Sequence, residues 1–181
     1  MPEIRIRNAV ATDIQQVMAF DHNSTSDYVW QFDLKHGEEQ VGVIFREIRL
    51  PRSIQVNYPK TIATLADEWN HQSGMLVAII DNDLCGYLRL SDVIVQEATW
   101  ITDLVVPANF RRKGIGRKLL QAAQTWAAER QKIKIILEMS TKNNPAIRLA
   151  QKMGYEFCGY NDNYYATNDV ALFFGRTIRS S

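Results

Sequence analysis

The chain has 181 residues, 46% of them apolar and 23% charged, and its 21 Lys and Arg nearly cancel its 20 Asp and Glu for a formal net charge of +1. This composition excludes disordered and collagen-like chains, and it removes the broad basic field on which sequence-independent nucleic-acid binding depends. A single domain over residues 1–181 is expected, with no nucleic-acid partner.

Cys85 and Cys158 are too few for a disulfide framework and match no metal-ligand spacing, so no metal is expected. Both read as buried thiols of a reducing cytosol. The opening MPEIRIRNAV has no apolar signal region, and no segment approaches the ~18 apolar residues of a membrane span. A cytoplasmic location without a membrane partner follows as the expectation.

EIRIRNA alternates as a strand does, and Thr12-Asp13-Ile14-Gln15 offers a capping box for a helix carrying Ile14, Val17 and Met18. YVWQFDL and VGVIFREIRL read as strands around the loop KHGEEQ, with Pro51 and Pro59 as punctuation. Residues 64–72, TLADEWNHQ, suit a short helix. MLVAIID-ND-LCGYLRL is a hairpin about Asp81-Asn82-Asp83, and ATWITDLVV is the strand after it.

Ile115, Leu119, Leu120, Ala123, Trp126 and Ala127 recur at helical spacing and predict an amphipathic helix from Ile115 to Arg130. IKIILEM resumes a strand. NNPAIRLAQKMG is a second helix, with asparagine caps, Pro145 in its first turn and Gly154 as its stop. YEFCGY and VALFFGRTI close the chain as two strands joined by the polar NDNYYATND. There is no internal repeat and no linker to a second domain.

The chemistry concentrates in VVPANFRRKGIGRKLL, residues 105–120. A strand, a loop and a helix in that order leave the helix's first N–H groups unpaired, with the positive end of its dipole beside them. Gly114 and Gly116 clear the approach to those amides, and Arg111, Arg112, Lys113, Arg117 and Lys118 add charge, an arrangement suited to a pyrophosphate. Neither glycine opens the Gly-x4-Gly-Lys-Ser/Thr run of a P-loop. A dinucleotide fingerprint fails too, because a loop from Pro107 to Lys113 intervenes and Leu119 replaces the third glycine, although Glu138 lies at a suitable distance downstream.

Arg111-Arg112-Lys113-Gly114-Ile115-Gly116 resembles the Gln/Arg-x-x-Gly-x-Gly/Ala motif of the GNAT N-acetyltransferases, and TDLVVP and RKLLQAAQTWA are similar to that family's fourth strand and third helix. Asn143, Ala146, Ile147, Leu149, Lys152, Gly154 and Tyr155 match its second signature, Asn-x-x-Ala-x-x-Leu-Tyr-x-Lys-x-Gly-Phe. Ala150 stands where that signature has tyrosine. The resemblance spans roughly residues 75–175 and leaves 24–62 unmatched, while the tail YEFCGYNDNYYATNDVALFFGR is similar to streptothricin-type acetyltransferases.

The resemblance implies an α/β (α+β) fold with a strongly twisted mixed sheet of about six to seven strands, splayed after the fourth and flanked by about four helices. It implies acetyl-CoA as co-substrate and transfer of its acetyl group to a primary amine by direct attack in a ternary complex, the acceptor unspecified. The alternative, raised by Ala150, is a non-catalytic acyl-CoA-binding module. The loop residues Arg111 to Lys118, Ile115 included, would hold the diphosphate, and main chain near Leu104, Val105 and Val106 would bind pantetheine and the thioester oxygen. Asn143 would either bind the cofactor or cap its helix.

Asp103, Glu97 and Glu138 are the acids expected on strands near the acetyl group, Asp103 foremost as base. With Ala150 in the signature, the proton donor falls to Tyr164 or Tyr165, ahead of Tyr155 and Tyr160, or the thiolate leaves unaided because a thiol's pKa is only about 8.5. Tyr28, Trp30, Phe32, Trp69 and Trp100 are candidates for an acceptor pocket or for core. His22, His36 and His71 fall where no chemical pattern exists, and a homodimer is possible at this size.

Overall fold

Strand alternation sets the plan of the molecule. In the computed structural model, which describes residues 3–70 and 74–178, the elements run β1 (Arg5–Asn8), α1 (Ala11–Met18), β2 (Ser24–His36), β3 (Val41–Val56), α2 (Thr64–Glu68), β4 (Gly74–Ile80), β5 (Asp83–Val95), β6 (Ala98–Val105), α3 (Ile115–Glu129), β7 (Lys134–Ser140), α4 (Asn144–Lys152), β8 (Glu156–Asn161) and β9 (Ala171–Thr177). Leu76, Ala78 and Ile80 of β4 enter one core, beside Leu119, Leu120 and Ala123 of α3; Met75, Val77 and Ile79 enter a second, beside Ile14, Val17 and Leu65 of α1 and α2. Successive side chains of a strand point to opposite faces, so a strand apolar throughout must be covered on both.

Seven strands form the sheet, in the order β1-β4-β5-β6-β7-β9-β8, with β6 and β7 parallel and their neighbours antiparallel. The expected mixed sheet and its four helices are therefore present. β6 pairs with β7 only from Ala98 to Ile101, against Lys134 to Leu137. Beyond that point β6 runs on to Val105 beside β5, and β7 runs on to Ser140 beside β9, so the sheet parts after its fourth strand.

A bulge at the parting decides which way the side chains face. β5 pairs Leu90 with Ile101 but Arg89 with Asp103, which makes Thr102 an extra residue. One inserted residue reverses the facing of all that follow. Ile101 accordingly points into the α3 core, whereas Val105 packs with Tyr87 on the opposite face and Asp103 meets Arg89 there.

The first helix departs from expectation at its start. It begins at Ala11, and the Thr12–Gln15 box does not form; Asp13 caps instead, accepting from Val10 N at 2.8 Å and from the Arg7 guanidinium at 2.6 and 2.9 Å. A carboxylate with a guanidinium at hand makes stronger, charge-assisted bonds than glutamine does, and Arg7 holds the Asp13 carboxyl below its ordinary pKa. α2 ends at Glu68; residues 71 and 72 of its expected span, and with them His71, lie outside the described residues.

β2 and β3 form a separate two-stranded sheet, longer than the sequence suggests because Pro51 does not end β3. The register slips there, Ser26 pairing with Ile54 and Tyr28 with Arg49, and a broken ladder tolerates a residue without an N–H. This ribbon docks on α4: Trp30 N donates to Thr141 O and Trp30 Nε1 to Asn144 Oδ1, each at 2.9 Å, and Arg148 binds Glu47 through two nitrogens. Phe32 packs on Tyr160, Trp100 on Phe173, and Trp69 on the second core. These aromatics are structural.

Cys85 is buried as expected, but Cys158 is exposed. It lies on the outermost strand, at a register shift that leaves it between the paired Phe157 and Gly159. No helix among the described residues is long and apolar enough to cross a membrane.

Replacing Trp30 with Phe leaves the buried Asn144 amide oxygen without its donor. Urea unfolding should show a loss of about 1–3 kcal/mol, the cost of an unpartnered buried polar group.

Candidate active site

Where β6 and β7 part, two carboxylates sit inside the protein. Asp103 of β6 and Glu138 of β7 have side chains 1% and 3% exposed, and buried carboxylates persist as ions only with cations and donors around them. Asp103 receives Tyr58 Oη at 2.5 Å and Thr102 Oγ1 at 3.2 Å, and lies 3.5 Å from Arg89. Glu138 receives Tyr164 Oη at 3.0 Å. Lys60 joins the two acids, its Nζ 3.2 Å from Glu138 and 3.7 Å from Asp103, and Arg89 reaches on to Glu68 at 3.2 Å.

The environment favours the protonated form of each tyrosine around this cluster. Burial, reinforced by the Asp103 charge, raises the pKa of Tyr58 and Tyr87 well above the usual phenol range. Burial and then Glu138 do the same for Tyr165 and push Tyr164 up to about 12. His22 is kept neutral by burial; its Nδ1 lies 2.8 Å from Phe20 O and its ring packs on Tyr58 at 4.9 Å.

The cluster divides two mouths of one cleft. Leu104, Val105, Met139, Asn143 and Ala146 line the first, and Glu68, Arg89, Val93, Ile94 and Tyr164 line the second; Lys60, Asp103, Glu138 and Tyr165 line both. Tyr164 and Tyr165, the expected proton donors, thus stand at the acids. Tyr155 is buried under α3, where its hydroxyl meets Gln124 at 3.2 Å, and Tyr160 packs against the ribbon. Glu97 is an exposed turn residue preceding β6, at the strand's far end from Asp103. Ala150 is wholly buried in the core.

β6 leads from Asp103 to the basic loop. Gly114 precedes α3 with φ +84°, a left-handed conformation that favours glycine, and a Cβ there would meet nothing within 4 Å. No side chain caps this end, so the leading N–H groups of α3 lack intrahelical acceptors. Gly116 has a different role: a Cβ would come within 2.9 Å of Leu149 Cδ2, so its absence lets α3 and α4 approach.

The cations of the loop divide into two kinds. Arg111 turns inward, its guanidinium donating to Val106 O at 2.8 Å and Asn23 O at 2.6 Å, and so fastens the loop to the segment before β2. Arg112, Lys113, Arg117 and Lys118 are exposed and form no ion pair among the described residues, though Lys113 lies over the Phe110 ring at 5.2 Å. Asn143 caps α4, its Oδ1 accepting from Ala146 N at 3.3 Å, while also lining the first mouth. Among the described residues no three His, Cys, Asp or Glu side chains gather to hold a metal ion.

Tyr58, Lys60 and Arg89 escape the sequence reading. Arg89 carries a signal, being a charge inside the apolar run LCGYLRL, and a charge in such a run requires a buried partner. Tyr58 and Lys60 lie beside Pro59 in a stretch without periodicity and carry none.

Known proteins are similar to this chain in sequence and fold. The streptothricin acetyltransferase of Streptomyces lavendulae is 28% identical over 164 residues, covering 88% of this chain and 85% of that protein. A crystal structure of nourseothricin acetyltransferase superposes with a TM-score of 0.82 at 25% identity, over 97% of this chain and 99% of that one. A protein of Bacillus anthracis str. Ames, solved in complex with acetyl coenzyme A, shares the fold with a TM-score of 0.76 at 19% identity, over 97% and 99%. The sequence pattern of one family matches residues 21–155, the basic loop, Asp103 and Glu138 included, and the chain belongs to the Acetyltransferase (GNAT) family.

Proposed function

We propose that the protein is an acetyl-CoA-dependent N-acetyltransferase that binds acetyl-CoA and a primary amine together and transfers the acetyl group directly. One observation carries this reading: the unpaired edge of β6 runs from two buried carboxylates to an uncapped, cation-ringed helix N-terminus. The amides leading α3, with Arg112, Lys113, Arg117 and Lys118, would hold the coenzyme diphosphate. Arg111 would act by fixing the loop. Main chain from Leu104 to Val106, with the side-chain amide nitrogen of Asn143, would hold the pantetheine arm; bound there, the thioester supplies the activated acetyl group.

The chain's own residues account for the proton movements. Asp103 and Glu138 attract the acceptor's ammonium, and either takes its surplus proton, which leaves the nitrogen nucleophilic. Tyr164 and Tyr165, which keep their protons across the physiological range, would donate to the departing thiolate. Glu68, Val93 and Ile94 place both charge and apolar surface at the acceptor's mouth. The names of the relatives make streptothricin the first acceptor to assay, followed by polyamines and N-terminal peptides.

Acetyl-CoA or CoA should raise the melting temperature, and Gly114→Glu, which sets a carboxylate in the anion nest, should remove the rise; no shift with either ligand on the wild type defeats the reading. Glu138→Gln and Asp103→Asn should each lower kcat/KM for the acceptor about 10²-fold or more, with acetyl-CoA binding retained. Binding without transfer to any amine would favour the non-catalytic alternative.

Because Tyr164 ionises only near pH 12, kcat/KM between about pH 7 and 10 should have no descending limb from this residue. A limb in that range that disappears in Tyr164→Phe contradicts the assignment.

A further inference from the structure

Lys60 stands where an acceptor amine would have to stand. Its side chain lines both mouths of the cleft, and its Nζ lies 3.2 Å from Glu138 Oε1 and 3.7 Å from Asp103 Oδ1 while donating to Thr102 O at the β6 bulge. At 28% exposure it is far more accessible than the two acids it bridges. It is a primary amine on the carboxylates that relieve an acceptor of its proton, at the level where β6 leaves β7.

The other lysines differ in one respect or another. Lys113 and Lys118 are exposed beside the anion nest but pair with no carboxylate among the described residues. Lys132 pairs with Asp92 and Lys142 with Asp169, and none of these lines either mouth.

We propose that Lys60 is an acetylation site of the protein's own activity, modified at Nζ when no acceptor fills the cleft. The proposal rests on the N-acetyltransferase reading above. Glu138 takes one proton from the Lys60 ammonium, and the neutral nitrogen attacks the thioester carbonyl. A C–N bond forms, the C–S bond breaks, and the thiolate leaves as CoA after protonation. One ammonium and one acetyl-CoA give one acetyl-lysine, one CoA and one released proton, with no oxidant or further reactant.

The modification removes a charge from the cluster. Asp103 keeps Arg89, but Glu138 keeps the Tyr164 hydroxyl and loses the cation it is paired with. Acetyl-Lys60 therefore marks a form of the protein whose acceptor subsite is altered and partly filled by its own side chain.

The test incubates the purified full chain with acetyl-CoA and no amine, follows acetylation of each lysine by peptide mass spectrometry, and measures the CoA-induced melting shift in parallel. The expected result is one acetyl group on Lys60, appearing faster than on Lys113 or Lys118, suppressed by saturating acceptor and slowed in Glu138→Gln; Lys60→Arg should lose it. A melting shift with Lys60 unmodified overturns this proposal and leaves the enzymatic reading intact. No melting shift and no modification overturns both, and equal labelling of Lys113 and Lys118 overturns it as simple chemical acetylation.

Discussion

Two parallel strands that stop pairing in mid-course leave main-chain donors and acceptors facing each other across a gap, and buried backbone polar groups need partners. β6 and β7 do this after Ile101 and Leu137. Each strand continues with its other neighbour: β6 beside β5 through Val105, and β7 beside β9 through Ser140. An extended ligand carrying amides can satisfy such an edge as a strand would. The pantetheine arm of CoA has that form, and the proposed site accordingly joins the cleft to the uncapped end of α3.

The same parting makes the charge cluster possible. Had β6 continued without its bulge, Asp103 would share the facing of Ile101 and lie in the apolar core under α3, where no cation is at hand. The extra residue, Thr102, turns it to the face that carries Arg89, Tyr58 and Lys60. Two buried acids then meet Arg89 and Lys60 in one cleft. Such a cluster is costly to break from one side, so on the proposed reading an arriving ammonium takes over the contacts that Lys60 makes.

Much of this was legible in the residues and part was not, for physical reasons. α3 and α4 announce themselves through sustained helical periodicity with Gly114 and Gly154 as punctuation, and β4 to β6 through apolar runs and a two-residue turn. The basic glycine loop is legible because its strand, loop and helix are consecutive in the chain. The acid cluster is not, since its members come from the segment after β3, from β5, β6 and β7, and from the loop before β9, and only folding brings them together. Residue type also under-determines direction. Arg111 lies where the motif puts it, yet its guanidinium serves Val106 and Asn23; Thr12 has the chemistry of a cap, yet Asp13 wins through Arg7.

A crystal structure of the protein with CoA tests the central claim most directly. The account predicts the diphosphate on the amides that open α3, with Arg112 and Lys113 beside it, and the pantetheine arm in the gap between Thr102–Val105 and Glu138–Ser140. A coenzyme bound away from the end of α3, or a gap that remains closed to the thiol end of the bound coenzyme, would contradict it.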